Sequence, residues 1–160
     1  MYNKIEKNIK VLVMDVDGTL TDGLLYISSQ GEEFKSFSIK DGYGINELLP
    51  AAGIIPAIIT GRKSEIVNRR CEEIGIEHVF QGVHDKDRVL RELASTLSLS
   101  LRDNFAYIGD DDNDLTAMGV VALVGCPADA SKNVLKAADF VSSKNGGHGA
   151  VRDFIEWILD

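Results

Sequence analysis

A run of four apolar residues followed by two aspartates constrains the fold more than any other feature of the sequence. Residues 11–14, VLVM, are typical of a strand that is buried on both faces of a sheet. The run stops at Asp15, and Asp17 and Gly18 follow within three residues. Because open α/β sheets bind ligands at the carboxyl ends of their strands, the pattern predicts two carboxylates at a ligand-binding edge.

The rest of the chain alternates short apolar runs with helical spacing. Further strands are predicted over residues 54–59, 78–80, 105–108, 120–124 and 140–142, and helices over 43–53, 64–74, 86–97 and 149–159. A short helix is predicted after the acidic run 110–114, and another helix, capped by Asp129 or Ser131, is predicted to end at Ala138. Alternation of this kind predicts a parallel, doubly wound α/β sheet with helices on both faces. We therefore expect one domain over residues 1–160, with a glycine-rich tail and last helix at 145–160.

A β-hairpin is predicted within about residues 23–38, where two alternating segments, 24–27 and 33–37, flank the loop SSQG. Its apolar residues are Leu24, Leu25, Tyr26, Ile27, Phe34 and Phe37. A lone hairpin is marginally stable in water, so we expect these apolar faces to pack against other copies of the chain. The alternative is a hairpin that folds onto its own core and leaves a monomer.

Composition limits the partners and the compartment. With a net charge of -8, the chain lacks the basic face that nucleic-acid phosphates require. No apolar run reaches the length of a membrane span, and residues 1–10 lack the apolar segment of a secretion signal. We therefore expect a cytoplasmic protein without nucleic-acid or membrane partners. Cys71 and Cys126 are expected to be reduced structural residues.

Three further strand ends or loops carry residues suited to phosphate chemistry: Thr60, Lys86 and the acidic run 110–114, DDDND. In a parallel sheet they would converge on the edge that holds Asp15 and Asp17. A carboxylate can attack phosphorus if a divalent ion and a lysine offset its repulsion from the phosphate. The set therefore favours phosphoryl transfer at this edge.

Each residue of this set has a candidate role. Asp15 is the candidate nucleophile, and Asp17 is placed to act as general acid and then general base. Thr60 and Lys86 can contact the phosphoryl oxygens. Asp110 completes an all-oxygen Mg²⁺ site, because magnesium prefers oxygen ligands. Taken singly, each residue is equally typical of a capping or solvated position.

The acidic run also resembles part of a calcium-binding loop, but Leu115 and Val121 stand where that motif needs glycine and glutamate. We therefore expect Asp111, Asp112 and Asp114 to act as capping or supporting groups rather than direct metal ligands. Asp114 is the closest to a ligand position.

The motifs DVDGT, TGR, Lys86 and GDDDND, in this order, resemble the haloacid dehalogenase superfamily of aspartyl-phosphate phosphatases. The resemblance implies Asp15 as nucleophile and Asp17 as acid/base, with Thr60 and Lys86 on the phosphate. It also implies Mg²⁺ bound by Asp15, by the backbone carbonyl of Asp17 and by Asp110. The intervals between the motifs are too short for a cap domain, so another element must close the site.

Three longer stretches, DGLLYISSQGEEFKSFSIKDGYGI, TGRKSEIVNRRCEEIGIEHVFQG and GGHGAVRDF, resemble the uncapped sugar-acid phosphatases of this superfamily. The resemblance implies hydrolysis of an eight-carbon α-keto sugar acid phosphate on the route to lipopolysaccharide. It also implies a homotetramer built by the hairpins, in which neighbouring subunits and the glycine-rich tail complete each site. A nine-carbon sugar acid phosphate or another small sugar phosphate is the alternative substrate.

A sugar acid carries a carboxylate, which a guanidinium binds at two points where lysine offers one charge. Arg62 and Arg70 are therefore candidate substrate-binding residues, although Arg70 is equally typical of a solvated helix face. Gly61, Lys63 and His148 complete the predicted set, and His148 stands where the family usually has arginine or lysine. Relatives that act on nine-carbon acids tend to have glutamate at the position of Arg62, so Arg62 favours the eight-carbon acid.

Two non-enzymatic classes compete with this interpretation. A receiver domain also gathers acidic residues, a threonine and a lysine on a parallel sheet, but its lysine lies near the end of the chain, whereas Lys86 precedes the last acidic run. A regulatory copy of the phosphatase fold would have no need of the intact set of site residues. A dinucleotide-binding domain is excluded, because no predicted strand is followed by Gly-x-Gly-x-x-Gly.

Overall fold

The computed structural model describes residues 8–160, apart from the side chains at positions 32 and 33. The strands are β1 Val11–Met14, β2 Tyr26–Ser28, β3 Gly31–Phe34, β4 Ile55–Ile59, β5 His78–Phe80, β6 Phe105–Ile108, β7 Leu123–Cys126 and β8 Phe140–Val141. Six of them form one sheet in the order β5-β4-β1-β6-β7-β8, and every neighbouring pair in it is parallel. The predicted parallel sheet is confirmed, with β1 near its centre.

The helices are α1 Ile39–Tyr43, α2 Leu49–Ala51, α3 Glu65–Glu73, α4 Lys86–Leu97, α5 Leu101–Asn104, α6 Leu115–Met118, α7 Lys132–Ala137 and α8 Ala150–Leu159. A π-helical turn, Gly44–Leu48, joins α1 to α2, so the helix predicted over 43–53 is a composite segment. Among residues 8–160, no helix has the length and apolar character needed to cross a membrane. Residues 1–7, on which the expectation about a secretion signal partly rests, lie outside the described residues.

The sheet is covered on both faces because the side chains of β1 alternate between two apolar layers. Leu12 and Met14 belong to the layer that includes residues of α3 and α8. Val11 and Val13 belong to the opposite layer, which includes residues of α4, α6 and α7. All four side chains are fully buried. Burial of such a side chain stabilises the fold by roughly 1.5–3 kcal/mol, so the run that begins the sequence motif also anchors the sheet.

Among the strands of the main sheet, β7 differs most from prediction, while β4 and β8 are each one residue shorter than predicted. The strand predicted over 120–124 is Leu123–Cys126, because its parallel register with β6 sets Leu123 opposite Ala106 and Gly125 opposite Ile108. A Cβ atom at Gly125 would lie 2.6 Å from the ring of Phe154 in α8, so helix packing requires glycine within this strand. That requirement comes from residues distant in sequence, which a local apolar pattern does not reveal.

The hairpin forms a separate two-stranded sheet outside the main one. Its strands are shifted toward the loop relative to the predicted segments, because a tight turn pairs Ser28 with Gly31. The rings of Tyr26 and Phe34 stack with their centroids 4.5 Å apart, while Ile27 is 64% exposed and Phe34 56% exposed. The hairpin therefore does not bury its apolar face on the core of its own chain.

The intervals between the site motifs contain no cap domain in the described part of the chain. The segment from β1 to β4 holds the hairpin and the composite helix, and the segment from β4 to α4 holds only α3 and β5. The expectation of an uncapped fold is confirmed. That residues 1–160 form one domain stays a prediction.

Candidate active site

The loop after β1 brings two carboxylates to the edge of the sheet. The amide of Asp15 donates to the carbonyl of Ile108 at 3.0 Å, which continues the pairing of β1 with β6. Gly18 has a positive φ of 88°, and a Cβ atom there would overlap the carboxylate of Asp110. The hydroxyl of Thr19 donates to Oδ1 of Asp110 at 3.0 Å. Glycine is required at this position because Asp110 packs against its backbone.

A buried lysine joins the two acidic segments. Nζ of Lys86, which is 1% exposed, donates to Oδ1 of Asp15 at 3.0 Å and to Oδ1 of Asp114 at 2.7 Å. Burial by itself would lower the pKa of Lys86, but the carboxylates of Asp15 and Asp114 raise it above its ordinary value. The ammonium group therefore stays charged at neutral pH, next to the predicted nucleophile.

Both carboxylate oxygens of Asp114 are occupied by hydrogen bonds within this site. Its Oδ1 accepts from Lys86 and, at 2.6 Å, from the hydroxyl of Tyr107. Its Oδ2 accepts from the amides of Asp110 at 2.9 Å and Asp111 at 3.2 Å. An oxygen of Asp114 lies within 4.8 Å of oxygens of Asp15 and Asp110, but both of its oxygens already accept two hydrogen bonds. The network favours Asp114 as a supporting group, as the sequence predicts.

Asp111 and Asp112, which precede Asp114 in the acidic run, make contacts within their own loop and its surroundings. Asp111 caps the short 3-10 turn that contains Asp114, and Asp112 is exposed and accepts from Ser131 and Asn133. Both positions agree with the expectation that they cap or support the loop.

The acidic cluster is unfavourable unless a cation or a proton joins it. Burial, followed by the charge of Asp114, raises the pKa of Asp15 to about 6. Burial, followed by the charge of Asp15, raises the pKa of Asp110 to about 8. A divalent ion would remove this repulsion, and a set of carboxylate oxygens is what Mg²⁺ prefers. Asp15 and Asp110 therefore fit a magnesium ion.

Asp17 faces the same edge but has a different partner. Its Oδ1 accepts from Nζ of Lys35, which lies just after β3, at 2.6 Å. Its side chain is not part of the group formed by Asp15, Asp110 and Asp114. The metal contact predicted for Asp17 involves its backbone carbonyl and stays a prediction.

A cavity of about 280 Å³ lies over this edge of the sheet. It is lined by Asp15, Asp17, Gly23, Thr60, Gly61, Arg62, Asp110, Asp111 and Asn113. The structure therefore brings the predicted nucleophile, acid/base, metal ligand and phosphate-binding threonine to one cavity, with Lys86 beneath them. A larger cavity of about 460 Å³ near α4 and α5 has no carboxylate in its lining, so it does not suit the same chemistry.

The loop after β4 forms the opposite wall. The amide of Thr60 donates to the carbonyl of Phe80 at 2.9 Å, and its carbonyl accepts from Val83 at 3.0 Å. These bonds hold the loop at the carboxyl end of β4. Arg62, next in the cavity wall after Gly61, is exposed.

Three predicted substrate-binding residues lie outside the lining of this cavity. The side chain of Lys63 packs over Gly82. Arg70 donates to Glu73 at 2.8 Å, and His148 is exposed with Nδ1 2.9 Å from the carbonyl of Gly146. A role for these three residues in substrate binding stays a prediction.

The glycine-rich tail packs against the loop after β1 of its own chain. The amide of Gly147 donates to the carbonyl of Thr19 at 3.1 Å, and the amide of Gly146 donates to Asp129 at 3.0 Å. A Cβ atom at Gly146 would overlap the carbonyl of Gly18. Glycine at this position is therefore required by the close approach of two backbones.

Sequence reasoning missed two residues of the site, Lys35 and Tyr107. Lys35 lies in a hairpin where alternation predicts exposed polar residues, and nothing local indicates that it reaches Asp17. Tyr107 is the polar member of the apolar strand FAYI, and a hydroxyl in a buried strand is a signal that a polar partner lies nearby.

Comparison with known proteins agrees with the class of enzyme that this fold and site define. A family model described as haloacid dehalogenase-like hydrolase matches residues 74–155. The chain is 42% identical over 153 residues to the 3-deoxy-D-manno-octulosonate 8-phosphate phosphatase KdsC of Escherichia coli K12, which covers 96% of this chain and 80% of the relative. The chain belongs to the haloacid dehalogenase-like hydrolase family.

Solved structures of phosphatases also match this chain over most of its length. The 3-deoxy-D-manno-octulosonate 8-phosphate phosphatase of Moraxella catarrhalis, in complex with magnesium, phosphate and KDO, matches with a TM-score of 0.91 and 42% identity over 96% of this chain and 87% of that one. The cobalt-bound phosphatase of Haemophilus influenzae matches with a TM-score of 0.90 and 40% identity over 96% of this chain and 88% of that one. The predicted family and fold class are confirmed.

Proposed function

We propose that this chain is a Mg²⁺-dependent phosphatase that hydrolyses 3-deoxy-D-manno-octulosonate 8-phosphate to the free sugar acid and phosphate, and so supplies a sugar for lipopolysaccharide. The observation that carries the proposal is the hydrogen bond from the buried Lys86 to Asp15 beside Asp110, at the floor of an open cavity. The activity for which the Escherichia coli and Moraxella catarrhalis relatives are named supports the substrate.

The geometry suits a two-step displacement. An oxygen of Asp15 attacks phosphorus, the bond from phosphorus to the sugar oxygen breaks, and an aspartyl phosphate forms on Asp15. Lys86 and the hydroxyl of Thr60 bind phosphoryl oxygens, and Lys86 offsets the repulsion between Asp15 and the incoming phosphate. When bound by Asp15 and Asp110, Mg²⁺ supplies positive charge that neutralises the phosphoryl oxygens.

Asp17 moves the protons in both steps. It gives a proton to the departing sugar oxygen, and it then takes a proton from the water that attacks the phosphorus of the aspartyl phosphate. The second step releases phosphate and restores the carboxylate of Asp15. The position of Asp17 in the wall of the cavity that Thr60 also lines supports this role.

Arg62 supports the eight-carbon sugar acid as substrate. It lines the cavity beside Thr60 and Gly61, where its planar guanidinium can bind the carboxylate of the sugar acid at two points. We expect Arg62→Glu to lower kcat/KM for the eight-carbon substrate more than for a nine-carbon sugar acid 9-phosphate. An unchanged ratio of the two values would contradict this contact.

We infer that the working form is a cytoplasmic homotetramer in which the hairpins pack against neighbouring subunits. The exposed apolar residues of the hairpin support assembly, since a contiguous exposed apolar patch marks an interface. Lys63, Arg70, His148 and the tail are proposed to contribute to substrate binding once neighbouring subunits are in place.

A phosphate-release assay tests the function. The purified protein is given 3-deoxy-D-manno-octulosonate 8-phosphate, a nine-carbon sugar acid 9-phosphate and simple sugar phosphates, with Mg²⁺ or with a chelator. We expect the eight-carbon substrate to be preferred, the chelator to abolish turnover, and Asp15→Asn to abolish turnover while the fold and assembly persist. Turnover by Asp15→Asn near the wild-type rate would eliminate the aspartyl-phosphate mechanism, and slow single turnover would favour a receiver domain.

A further inference from the structure

The predicted acid/base is held by a residue of the hairpin. Nζ of Lys35 donates to Oδ1 of Asp17 at 2.6 Å, a distance typical of a strong, charge-assisted hydrogen bond. The side chain of Lys35 is 2% exposed and that of Asp17 is 21% exposed. A lysine is rarely buried to this extent unless it is paired, so the contact is part of how the hairpin joins the catalytic loop.

The bond distinguishes the two oxygens of Asp17. Oδ1 is taken by Lys35, while no described residue donates to Oδ2. A short aspartate side chain at a cavity wall otherwise rotates freely, and proton transfer requires a heavy-atom separation of about 2.6–3.2 Å from the reacting oxygen. A fixed Oδ1 therefore fixes the direction in which Oδ2 points.

The position of Lys35 ties this orientation to the hairpin. Lys35 follows β3 directly, at the point where the hairpin returns to the body of the chain. In a fold without a cap domain, the hairpin is the projecting element nearest to the loop after β1, as the bond from Tyr26 to Asp22 at 2.6 Å also indicates. The seating of the hairpin and the placement of Asp17 are therefore linked.

We propose that Lys35 is a positioning residue for the reaction: its ammonium group holds Oδ1 of Asp17 so that Oδ2 serves the departing sugar oxygen. The inference deepens the proposed function and rests on it. Lys35 acts through Asp17 and does not itself contact the reacting atoms.

The test uses two substrates that differ in their need for a proton. The sugar alkoxide of 3-deoxy-D-manno-octulosonate 8-phosphate is a poor leaving group, so it must be protonated by the general acid as it departs. The dinitrophenolate of 2,4-dinitrophenyl phosphate is a good leaving group and departs without protonation. The value of kcat/KM reports the steps up to cleavage of the bond to phosphorus, so it isolates the acid step. Both are measured with the full chain and Mg²⁺.

For Lys35→Met we expect kcat/KM to fall by about tenfold to a hundredfold for the sugar phosphate and to change less than about twofold for the aryl phosphate. Lys35→Arg, which keeps the donor and the charge, should restore part of the lost activity. Lys40→Met is the matched control, because Lys40 is exposed on α1. It should leave both values unchanged.

Two results would overturn the inference. Equal losses on both substrates would mean that Lys35 has only a structural role, and no loss on either would mean that it has no role in the reaction. A second arm combines Lys35→Met with Asp17→Asn, which should lose no more than Asp17→Asn alone if Lys35 acts through Asp17. A wild-type protein that hydrolyses neither substrate would overturn the proposed function itself.

Discussion

Asp114 holds several of the proposed site residues in place through its hydrogen bonds. Four donors converge on its two oxygens, from Lys86, Tyr107 and the amides of Asp110 and Asp111. A Cβ atom at Gly109 would overlap the same carboxylate. The side chain therefore holds both Lys86, the proposed phosphate-binding lysine, and the backbone of Asp110, the proposed metal ligand.

We expect Asp114→Asn to lower kcat by about tenfold to a hundredfold, because the amide carries no charge to hold Lys86 and places an NH₂ group against one of its donors. Apparent Mg²⁺ affinity should fall as well, since the loop that carries Asp110 loses an anchor. Steady-state kinetics over a Mg²⁺ titration measures both. Asp112→Asn is the control, because the side chain of Asp112 is exposed and accepts from Ser131 and Asn133, outside the predicted site. Equal effects of the two substitutions would contradict the assignment.

The sequence was sufficient to predict Asp15, Thr60 and Asp110 as one site, because the carboxyl ends of parallel strands meet at one edge. It was not sufficient for Lys35. Its contact with Asp17 depends on how the hairpin packs against the loop after β1, and no periodicity encodes that orientation. The positions of site residues were predictable where the sheet fixes them and unpredictable where the hairpin does.

Among the elements, the hairpin exposes large apolar side chains that its two short strands cannot bury by themselves. Leu24 is 62% exposed and Ile27 is 64% exposed. We expect Ile27→Glu to dissociate the proposed homotetramer, because a carboxylate buried in an apolar contact carries a large desolvation cost. Light scattering across a concentration series measures the effect.

The control for the hairpin is Leu159→Glu, which places the same charge on an exposed apolar residue at the end of α8. It should leave the assembly intact. An unchanged assembly in Ile27→Glu would show that the interface does not include this face of the hairpin.

The first turn of helix α8 is hydrogen-bonded to a buried carboxylate. Oδ1 of Asp41 accepts from the amide of Arg152 at 2.8 Å, while Oδ2 has no partner among the described residues. Burial raises the pKa of Asp41 from an ordinary value of 3.8 to about 6. Because the folded state holds this proton more tightly than the unfolded state, the carboxyl favours folding at low pH, and that contribution is lost as pH rises from about 4 to 6.

For Asp41→Asn we expect the free energy of unfolding, relative to wild type, to be higher at pH 8 than at pH 5 by roughly 1–1.5 kcal/mol, since asparagine has no charge to bury. Urea unfolding of both proteins at the two pH values gives the difference. A difference that does not change with pH would mean that Asp41 titrates normally in the folded protein.

Helices and strands with strong periodicity were predictable, and the exceptions have physical causes. The π-helical turn Gly44–Leu48 lies where Gly44 meets Ile155 and Arg152 of α8. The shift of β7 follows from the packing of Phe154 over Gly125. Both depend on the last helix, whose position is set by the whole sheet rather than by neighbouring sequence.

At the scale of the whole molecule, the acidic cluster links metal binding to stability. With raised pKa values of about 6 for Asp15 and about 8 for Asp110, the metal-free protein becomes less stable as pH rises through this window, because both groups must ionise side by side. Mg²⁺ competes with these protons and removes the repulsion. It should therefore stabilise the protein more at pH 8 than at pH 6.

Thermal melts with Mg²⁺ or with a chelator at the two pH values measure this linkage. Asp110→Asn should lose most of the Mg²⁺-dependent rise in Tm. Equal rises in Tm at both pH values would contradict proton competition at this site.

The contact between Gly147 and Thr19 joins distant parts of the chain, since the amide of one donates to the carbonyl of the other at 3.1 Å. The loop that carries the nucleophile is thus locked by a segment synthesised long after it. A nascent chain on the ribosome has its first catalytic aspartates in solvent early, yet we expect it to remain inert until residue 147 emerges.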